Sequence, residues 1–316
     1  MNFKINNPKN LVDLDNINEI TNFHEKNDDF EVSAVIFKLF DGVHLIELNT
    51  IGSYLTPIVK DGNKFIEINY VINGRAECEM DDGCLQYLGQ GDILVRSNEN
   101  FTPVIKFPLY HYSAISIIVD KDKANYHVKK WFCNLDFDLT RVFTKLFKND
   151  CCLFIQSSNK TRSFFDEIDL SNRSKKQALY RLKILELFLF LDDYSPSESI
   201  QKSVFTRNQA EIVKEIHDYL ITNLDKQITI LDISKKFPIS QTTLKTYFKS
   251  VYGKPIANYV KEHKIQQGQI KLCNSDDSIL EISLSLGYKS QSKFSQAFKE
   301  IVGLTPTDYR NKVKKH

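Results

Sequence analysis

The sequence ILEISLSLGYKSQSKFSQAFKEIVGLTPTDYR, residues 279–310, decides the fold of the carboxy-terminal part of the chain. Apolar residues recur at helical spacing in two runs, which Gly287 separates. Ser290 opens the second run, and serine at such a position caps the start of a helix. The stretch therefore predicts a short helix over 279–286, a tight turn and a second helix over 291–300.

A copy of this pattern lies fifty residues earlier in the chain. Aligning the two copies gives six identities in twenty positions, which are Ser240/Ser290, Gln241/Gln291, Phe248/Phe298, Lys249/Lys299, Gly253/Gly303 and Tyr259/Tyr309. Small residues, Ser234 and Ser283, stand where the two helices of each copy would cross. The sequence thus predicts two helix-turn-helix units, at residues 228–250 and 279–300.

Charge is divided unevenly along the chain. The 316 residues carry 42 basic and 40 acidic side chains, and this net charge of +2 alone argues against a strongly charged partner. From Arg207 to His316, however, 18 basic residues stand against 11 acidic ones, which gives +7 there and −5 elsewhere. A basic helical region with two helix-turn-helix units is typical of DNA binding. The alternatives are a pair of ordinary helical hairpins or a repeat used for protein contacts.

The same residues resemble the signature of the AraC/XylS family of transcription regulators. The matching positions are Ile282, Gly287, Tyr288, Phe294, Phe298, Lys299, Gly303, Pro306, Tyr309 and Arg310. The resemblance implies a DNA-binding domain of that type over residues 206–316. It also implies a long helix that joins the two units and places their second helices in successive major-groove segments.

The joining helix departs from the family pattern at two places. Lys264 stands where the family usually has Arg, and Gly268 stands where it usually has Ala. Glycine inside a helix costs about 1 kcal/mol relative to alanine. We therefore expect a softer helix, with a less fixed angle between the two units.

The resemblance also indicates which residues touch DNA. Family members contact bases from exposed positions of the two second helices, here Thr242, Lys245, Thr246, Ser292, Lys293 and Gln296. Neither helix carries an Arg for guanine, whereas Gln296 suits adenine and threonine methyls suit thymine, so we expect an A/T-leaning site. The predicted contacts to the DNA backbone are Ser240, Gln241, Lys249, Ser290, Gln291 and Lys299. For Lys249 and Lys299, an ordinary surface position is an equal alternative.

The amino-terminal region has the alternation of short strands. Between Ile66 and Ile72 apolar residues alternate with Glu67, Asn69 and Val71, which predicts one apolar face and one wet face. The segment INGRAECEMDDGCLQYLGQGDILV, residues 72–95, resembles the sugar-binding-type cupin sensor of many such regulators. It implies a cupin-like, effector-sensing domain over residues 1–125. Its effector-binding residues are not predicted; aromatic residues that could line a pocket or fill the core are Tyr54, Tyr70, Tyr87, Tyr110 and Tyr112.

Nothing in the sequence indicates a metal, a cofactor or a catalytic residue. Catalytic cupins hold a metal with an H-x-H pair, which the chain lacks, so His44, Glu47 and His111 are interpreted as ordinary strand residues. The chain is accordingly predicted not to be an enzyme. The alternative is a cupin-type metalloenzyme with a helical accessory domain.

A helical segment is predicted between the two domains, over residues 126–205. Within it, residues 178–191 carry a wide apolar stripe that includes Leu179, Leu182, Leu185 and Leu189. This stripe favours self-association into a homodimer, with packing on the barrel as the alternative. Residues 195–199, rich in serine and proline, are predicted to form a linker.

The remaining signals concern compartment and partners. The start of the chain has no apolar core of signal-peptide length, and the six cysteines show no C-x-x-C spacing, which favours thiols in the cytoplasm and no membrane contact. The fold prediction is an α+β multidomain chain with a cupin-like β-barrel, a helical linker or dimerisation segment, and an all-α domain with two helix-turn-helix units. The functional prediction is a sequence-specific transcription regulator that binds double-stranded DNA, with a small-molecule effector and RNA polymerase as candidate partners.

Overall fold

The described residues pack into two units. A computed structural model of the chain describes residues 12–17, 19–28, 30–55, 65–79, 83–97, 105–132, 135–147, 152–165, 173–195 and 205–313. Described residues up to 195, except 83–85, form what we call the sheet unit, and residues 205–313 with 83–85 form the helical unit. The predicted linker, apart from Ser195, and two of the cysteines, Cys133 and Cys151, lie outside the described residues. The other four cysteines are thiols and form no disulfide with one another.

Two sheets make up most of the sheet unit, and one of their strands begins at Leu85, which is grouped with the helical unit. The strands are β1 (Ile20–Lys26), β2 (Phe30–Phe40), β3 (Val43–Gly52), β4 (Tyr54–Leu55), β5 (Ile66–Gly74), β6 (Ala76–Glu79), β7 (Leu85–Leu88), β8 (Ile93–Ser97), β9 (Ile105–Lys106), β10 (His111–Val119) and β11 (Cys152–Ile155). A seven-stranded antiparallel sheet has the order β1-β2-β3-β10-β5-β8-β11, and a four-stranded sheet has the order β4-β9-β6-β7. The amino-terminal region is therefore rich in sheet, as predicted, while a closed barrel stays a prediction.

Strand β11 interrupts the segment that was predicted to be helical over residues 126–205. It pairs with β8 at the edge of the larger sheet, and Leu153 and Ile155 point into the core. Two buried apolar residues with one partly buried residue between them give the period of two that a strand needs. The helical interpretation missed this short strand because longer helical patterns stand on both sides of it.

Both faces of the larger sheet are buried, which differs from the predicted wet face. Ile68 and Tyr70 belong to the core on one face, whereas Val71 belongs to the core on the other face. Glu67 and Asn69, expected in water, are only 9% and 4% exposed. The second face is covered because residues of the smaller sheet, such as those of β4, contribute to the same core. The alternation of apolar and polar residues therefore predicted strand β5 correctly, but the predicted exposure of its second face to water was wrong.

A chain of hydrogen bonds accounts for the polar residues inside the sheet unit. Arg96 donates from Nε and Nη2 to Glu67 Oε2 at 2.9 and 2.7 Å, and Ser116 donates to the other oxygen of Glu67 at 2.9 Å. Asn69 donates to the Ser116 hydroxyl at 2.7 Å and accepts from the Tyr112 hydroxyl at 2.6 Å. Burial holds the pKa of Tyr112 well above its usual value, so that its hydroxyl remains a donor. Buried polar atoms are tolerated when they are paired in this way.

Four α-helices and a short 3-10 helix, Leu14–Asn16, complete the sheet unit. The α-helices are α1 (Lys121–Trp131), α2 (Leu139–Leu146), α3 (Asn159–Ser163) and α4 (Arg173–Asp193). The apolar stripe predicted for residues 178–191 is divided on α4, because Ile184, Leu187 and Phe188 are buried in the core while Leu182 is 62% exposed. Packing on the sheet thus takes up only part of the stripe. Among the described helices, none has both the length and the apolar content needed to cross a bilayer.

The helical unit contains seven helices among its described residues. They are α5 (Arg207–Thr222), α6 (Ile230–Lys236), α7 (Gln241–Tyr252), α8 (Ile256–Asn274), α9 (Ile279–Ser285), α10 (Gln291–Val302) and α11 (Pro306–Val313). We call α6 and α7 the first helix pair, and α9 and α10 the second helix pair. Side chains that accept backbone hydrogen bonds begin each helix of both pairs, from Thr229, Ser240, Ser278 and Ser290. The serine caps that the sequence predicted for α7 and α10 are confirmed.

The joining helix α8 is continuous through Gly268, where softness was expected. A Cβ at this position would lie 2.9 Å from the ring of Phe294, which packs against the helix. Ile265 and Leu272 lie in the same core as Phe294. The glycine therefore has a packing reason, because the close approach of the aromatic ring leaves no room for a larger residue.

Candidate nucleic-acid interface

Helices α7 and α10 each bury one face and expose the other. Leu244 and Phe248 on α7 and Phe294 and Phe298 on α10 are fully buried, as the sequence predicted. The six predicted base-contacting residues all lie on the exposed faces, namely Thr242, Lys245, Thr246, Ser292, Lys293 and Gln296. Short polar side chains on an exposed helix are the arrangement that can read base edges in a major groove. Their contact with DNA stays a prediction.

The residues predicted to contact the DNA backbone lie at the ends of the same helices. The hydroxyls of Ser240 and Ser290 accept hydrogen bonds from the third backbone amides of their helices, those of Thr243 and Lys293. The first two amides of each helix are not satisfied within a helix and can bind a phosphate. Gln241 and Gln291 stand at the exposed first positions, and Lys249 and Lys299 at exposed positions of the last turn.

The exposed faces of α7 and α10 carry four lysines. Among the described residues, no carboxylate pairs with the side chains of Lys245, Lys249, Lys293 and Lys299. Lys254, in contrast, pairs with Glu262 at 2.6 Å. Unpaired lysines on these two helices leave positive charge available for phosphates, which dominate the affinity of proteins for DNA.

Most identities of the repeat have a structural role. Gly253 and Gly303 both have φ of +80° and end α7 and α10 in the left-handed conformation. The rings of Phe248 and Phe298 pack edge-on against Tyr259 and Tyr309, with centroids 5.4 and 5.5 Å apart. Caps, core and terminating glycines are therefore the same in the two helix pairs.

The exposed faces, however, are not the same. When the two copies are aligned at their offset of fifty residues, Thr246 corresponds to Gln296, Lys245 to Ser295, and Lys293 to Thr243. A lysine that one helix presents to solvent is thus replaced by a short hydroxyl in the other. The two helices share a scaffold but carry different hydrogen-bonding groups at the positions that would face bases.

A contact between the helix pairs involves Gly287, in the turn between α9 and α10. Gln227 Nε2 donates to the Gly287 carbonyl oxygen at 2.6 Å. A Cβ on Gly287 would lie 2.4 Å from the carbonyl oxygen of Asp225, and φ there is +70°. The turn of the second helix pair therefore packs tightly on the loop that precedes the first. Sequence reasoning predicted the turn at Gly287 but had no signal for Gln227.

The strand residues that were considered as metal ligands do not come together. His44 and His111 lie near opposite ends of the β3–β10 pairing, opposite Ile118 and Ile51. Burial lowers the pKa of His44 to about 4, and Glu47 accepts a hydrogen bond from the Tyr180 hydroxyl and pairs with Lys176. In the described ranges, no group of three or more His, Cys, Asp and Glu side chains is arranged to hold a metal ion.

The five tyrosines considered for a pocket are also dispersed. Tyr70 belongs to the core on the helix-covered face of the larger sheet, whereas Tyr54 and Tyr112 belong to the core on the opposite face. Tyr110 is 63% exposed, and Tyr87 is buried and donates to Glu77 at 2.8 Å. They do not line one common cavity, and core packing accounts for most of them.

Comparison with known proteins identifies the helical unit. A family model described as a helix-turn-helix domain matches residues 233–312. The HTH-type transcriptional regulator ExsA of Pseudomonas aeruginosa is 33% identical over 129 residues, which cover 41% of this chain and 46% of ExsA. The regulatory protein SoxS of Escherichia coli K12 is 25% identical over 103 residues, which cover 33% of this chain and 96% of SoxS. This chain therefore matches about half the length of the first relative and nearly all of the second.

The helical unit thus belongs to the class of helix-turn-helix DNA-binding domains. Within that class it is an AraC-type domain, as the residues at 279–310 predicted, and the relatives are transcription regulators rather than enzymes. A solved structure, the DNA-binding domain of AdpA in complex with a target DNA, aligns with a TM-score of 0.32 and 21% identity. It covers 33% of this chain and 93% of that one.

Proposed function

We propose that the chain is a sequence-specific transcription regulator that reads double-stranded DNA with both helix pairs as helix-turn-helix units. The observation that carries the proposal is the pair of exposed polar faces on α7 and α10, with four lysines that no described carboxylate neutralises. Two such helices can enter successive major-groove segments if they lie about 34 Å apart, one turn of the duplex. The cytoplasm is the proposed location of the protein.

The experiment is selection of bound sequences from a random duplex pool, followed by a salt series on the selected site. Affinity is expected to fall steeply with log salt. The double variant Lys245→Ala/Lys293→Ala is expected to weaken the selected site, and to reduce the salt slope by about 2 if both lysines contact phosphates. Lys254→Ala is the matched control, because its ammonium is already paired with Glu262. Selection that yields no common sequence would overturn the proposal.

The site itself is proposed to be asymmetric and to lean toward A/T. Gln296 is suited to adenine, and the methyl groups of Thr242 and Thr246 are suited to thymine. Because the two exposed faces differ, each half of the selected site should have its own sequence. A palindromic site, or one rich in G and C, would contradict this part of the proposal.

We propose further that the sheet unit, with a cupin-like barrel, senses a small molecule. Two features support this: the buried network from Arg96 to Tyr112, and the buried Tyr54 hydroxyl, which has no hydrogen-bond partner among the described residues. A ligand hydroxyl would supply the hydrogen-bond partner that the Tyr54 hydroxyl lacks. A panel of neutral monosaccharides tests it by thermal unfolding and by affinity for the selected site. We expect that one of the sugars changes both the unfolding temperature and the affinity for the selected site. The effect should be lost in Asn69→Leu.

Dimerisation through α4 and a contact with RNA polymerase complete the proposal. The exposed leucines Leu179, Leu182 and Leu189 share one side of α4. A ligand can control such a dimer only if it binds two arrangements of the dimer with different affinities. Sedimentation equilibrium tests the dimer. Leu182→Glu is expected to yield monomers, whereas Leu280→Glu, on an exposed leucine of α9, serves as the control. Transcription in vitro with purified RNA polymerase tests the proposed contact with that enzyme.

A further inference from the structure

A cavity lies between the first and second helix pairs, inside the helical unit. Its volume is about 260 Å³, and no acidic side chain lines it. The polar lining comes from α8, from the turn at Gly287 and from the loop after α5, chiefly Lys226, Lys261, Lys264, Asn223 and Tyr288. The lining therefore carries three lysines and no carboxylate.

Lys264 is the most buried of these lysines. The residue is only 8% exposed, and no described carboxylate or hydrogen-bond acceptor contacts its ammonium. The ammonium lies 5.6 Å from the centroid of the Tyr288 ring. Burial lowers the pKa of Lys264, while the more distant charge of Asp225 opposes that shift. A buried cation without a counter-charge is costly in a folded protein.

Tyr288 provides a second polar group without a partner. Its hydroxyl oxygen is buried and has no hydrogen bond to any described residue. Tyr288 and Lys264 line the same cavity from different elements, the turn before α10 and the helix α8. Buried polar groups in native proteins are nearly always paired, so the unpaired hydroxyl of Tyr288 beside a lysine without a contacting counter-charge indicates a missing ligand.

The other two lysines that line the cavity, Lys226 and Lys261, each have a side-chain partner. Lys226 Nζ donates to Asn223 Oδ1 at 2.6 Å, which does not neutralise its charge. Lys261 pairs with Glu300 at 2.8 Å, and both side chains are partly exposed to solvent. A dianion in the cavity would therefore meet at least two lysine charges that no carboxylate cancels.

We propose that this cavity binds a phosphate group. Lysine is a point charge that suits tetrahedral oxyanions, and the phenol of Tyr288 adds a neutral donor. The phosphate can come from a small phosphorylated metabolite or from the backbone of bound DNA, and the chemistry of recognition is the same in both cases. Because the lining comes from α8, from the loop before the first helix pair and from the turn within the second, an occupied cavity would join the elements that set the spacing of α7 and α10.

The test uses the full chain and inorganic phosphate, with chloride at matched ionic strength as the reference. Phosphate is expected to raise Tm and to bind with a measurable enthalpy in calorimetry. Lys264→Gln should weaken phosphate binding about thirtyfold or more. Without phosphate, Lys264→Gln should unfold at a temperature no lower than the parent chain, because it removes an uncompensated charge. Tyr288→Phe should weaken binding less, and Lys254→Gln should leave it unchanged.

A second arm separates the two sources of phosphate. The salt dependence of binding to a random-sequence duplex is measured for the parent chain and for Lys264→Gln. A slope lowered by about 1 in the variant identifies a backbone phosphate of DNA, and an unchanged slope with lost phosphate binding identifies a small molecule. The proposal is overturned if phosphate and chloride act alike and the slope is unchanged. It is also overturned if phosphate binding survives unweakened in both Lys264→Gln and Tyr288→Phe.

Discussion

The first and second helix pairs share a scaffold and differ in what they present to their surroundings. Serine caps open α7 and α10, a buried phenylalanine holds each helix to the core, and a left-handed glycine ends each of them. The turns within the pairs differ, because Phe237 is extended at φ −113° whereas the aligned Gly287 is left-handed at +70°. The scaffold repeats because helix caps and cores admit few solutions, while turns and exposed faces are free to diverge.

The largest expected effect concerns the part that the two pairs share. Phe248→Ala and Phe298→Ala each remove a fully buried ring. Each should lower the free energy of unfolding by about 3–5 kcal/mol, since the cavity adds to the lost transfer free energy. Urea denaturation of the two variants measures this. If the scaffolds are equivalent, the two losses agree within about 1 kcal/mol; a loss confined to one variant would contradict the equivalence.

The second largest effect on stability is expected in the turn between α9 and α10, at Gly287. Gly287→Ala places a Cβ 2.4 Å from the carbonyl oxygen of Asp225, whereas Gly303 has open space and a similar φ of +80°. Gly303→Ala should cost about 1–2 kcal/mol for left-handed backbone alone, and Gly287→Ala should cost clearly more because the Asp225 loop must also move. Thermal unfolding of both variants gives the difference. Equal costs would mean that the contact with the Asp225 loop is not tight.

A third prediction concerns the exposed faces. Gln296→Ala should lower discrimination at one base pair of the selected site by about 1–3 kcal/mol, because a bidentate contact is lost. Thr246→Ala, at the aligned position of α7, should affect a different base pair and by less, since only methyl contact or one hydrogen bond is lost. Competition binding with site variants measures both. Loss of discrimination at the same base pair in both variants would show that the two faces are not read separately.

Sequence alone predicted the helical unit well, because its signals are local. The caps at Ser240 and Ser290, the buried Phe294 and the turn at Gly287 each follow from residues a few positions apart. The contact of Gln227 with Gly287, in contrast, joins residues sixty positions apart that share no local pattern. Helix propensity predicted that Gly268 would soften α8. In the structure, the close packing of the Phe294 ring accounts for a glycine at this position.

The sheet unit was harder to predict for the same reason. Alternation along β5 gave the strand but not the second sheet, which covers the face that carries Glu67 and Asn69. Whether a polar residue points to water or to a buried partner such as Arg96 depends on which strands become neighbours. The order of the seven strands is not sequential, so no periodicity in the chain reveals it.

The smallest effect tests whether the two helix caps are equivalent. Ser240→Ala and Ser290→Ala each remove an oxygen that accepts a backbone hydrogen bond at the start of a second helix, at a cost of about 1 kcal/mol. The hydroxyl of Ser240 also lies 2.8 Å from that of Thr243, whereas position 293 is lysine, so the loss at Ser240 should be the larger. Ser292→Ala, on the exposed face of α10, should change stability by less than about 0.5 kcal/mol while it alters DNA binding. Denaturation midpoints read together with affinities for the selected site would then separate residues that build the scaffold from residues that read DNA. A stability loss at Ser292 as large as that at Ser290 would place it among the scaffold residues instead.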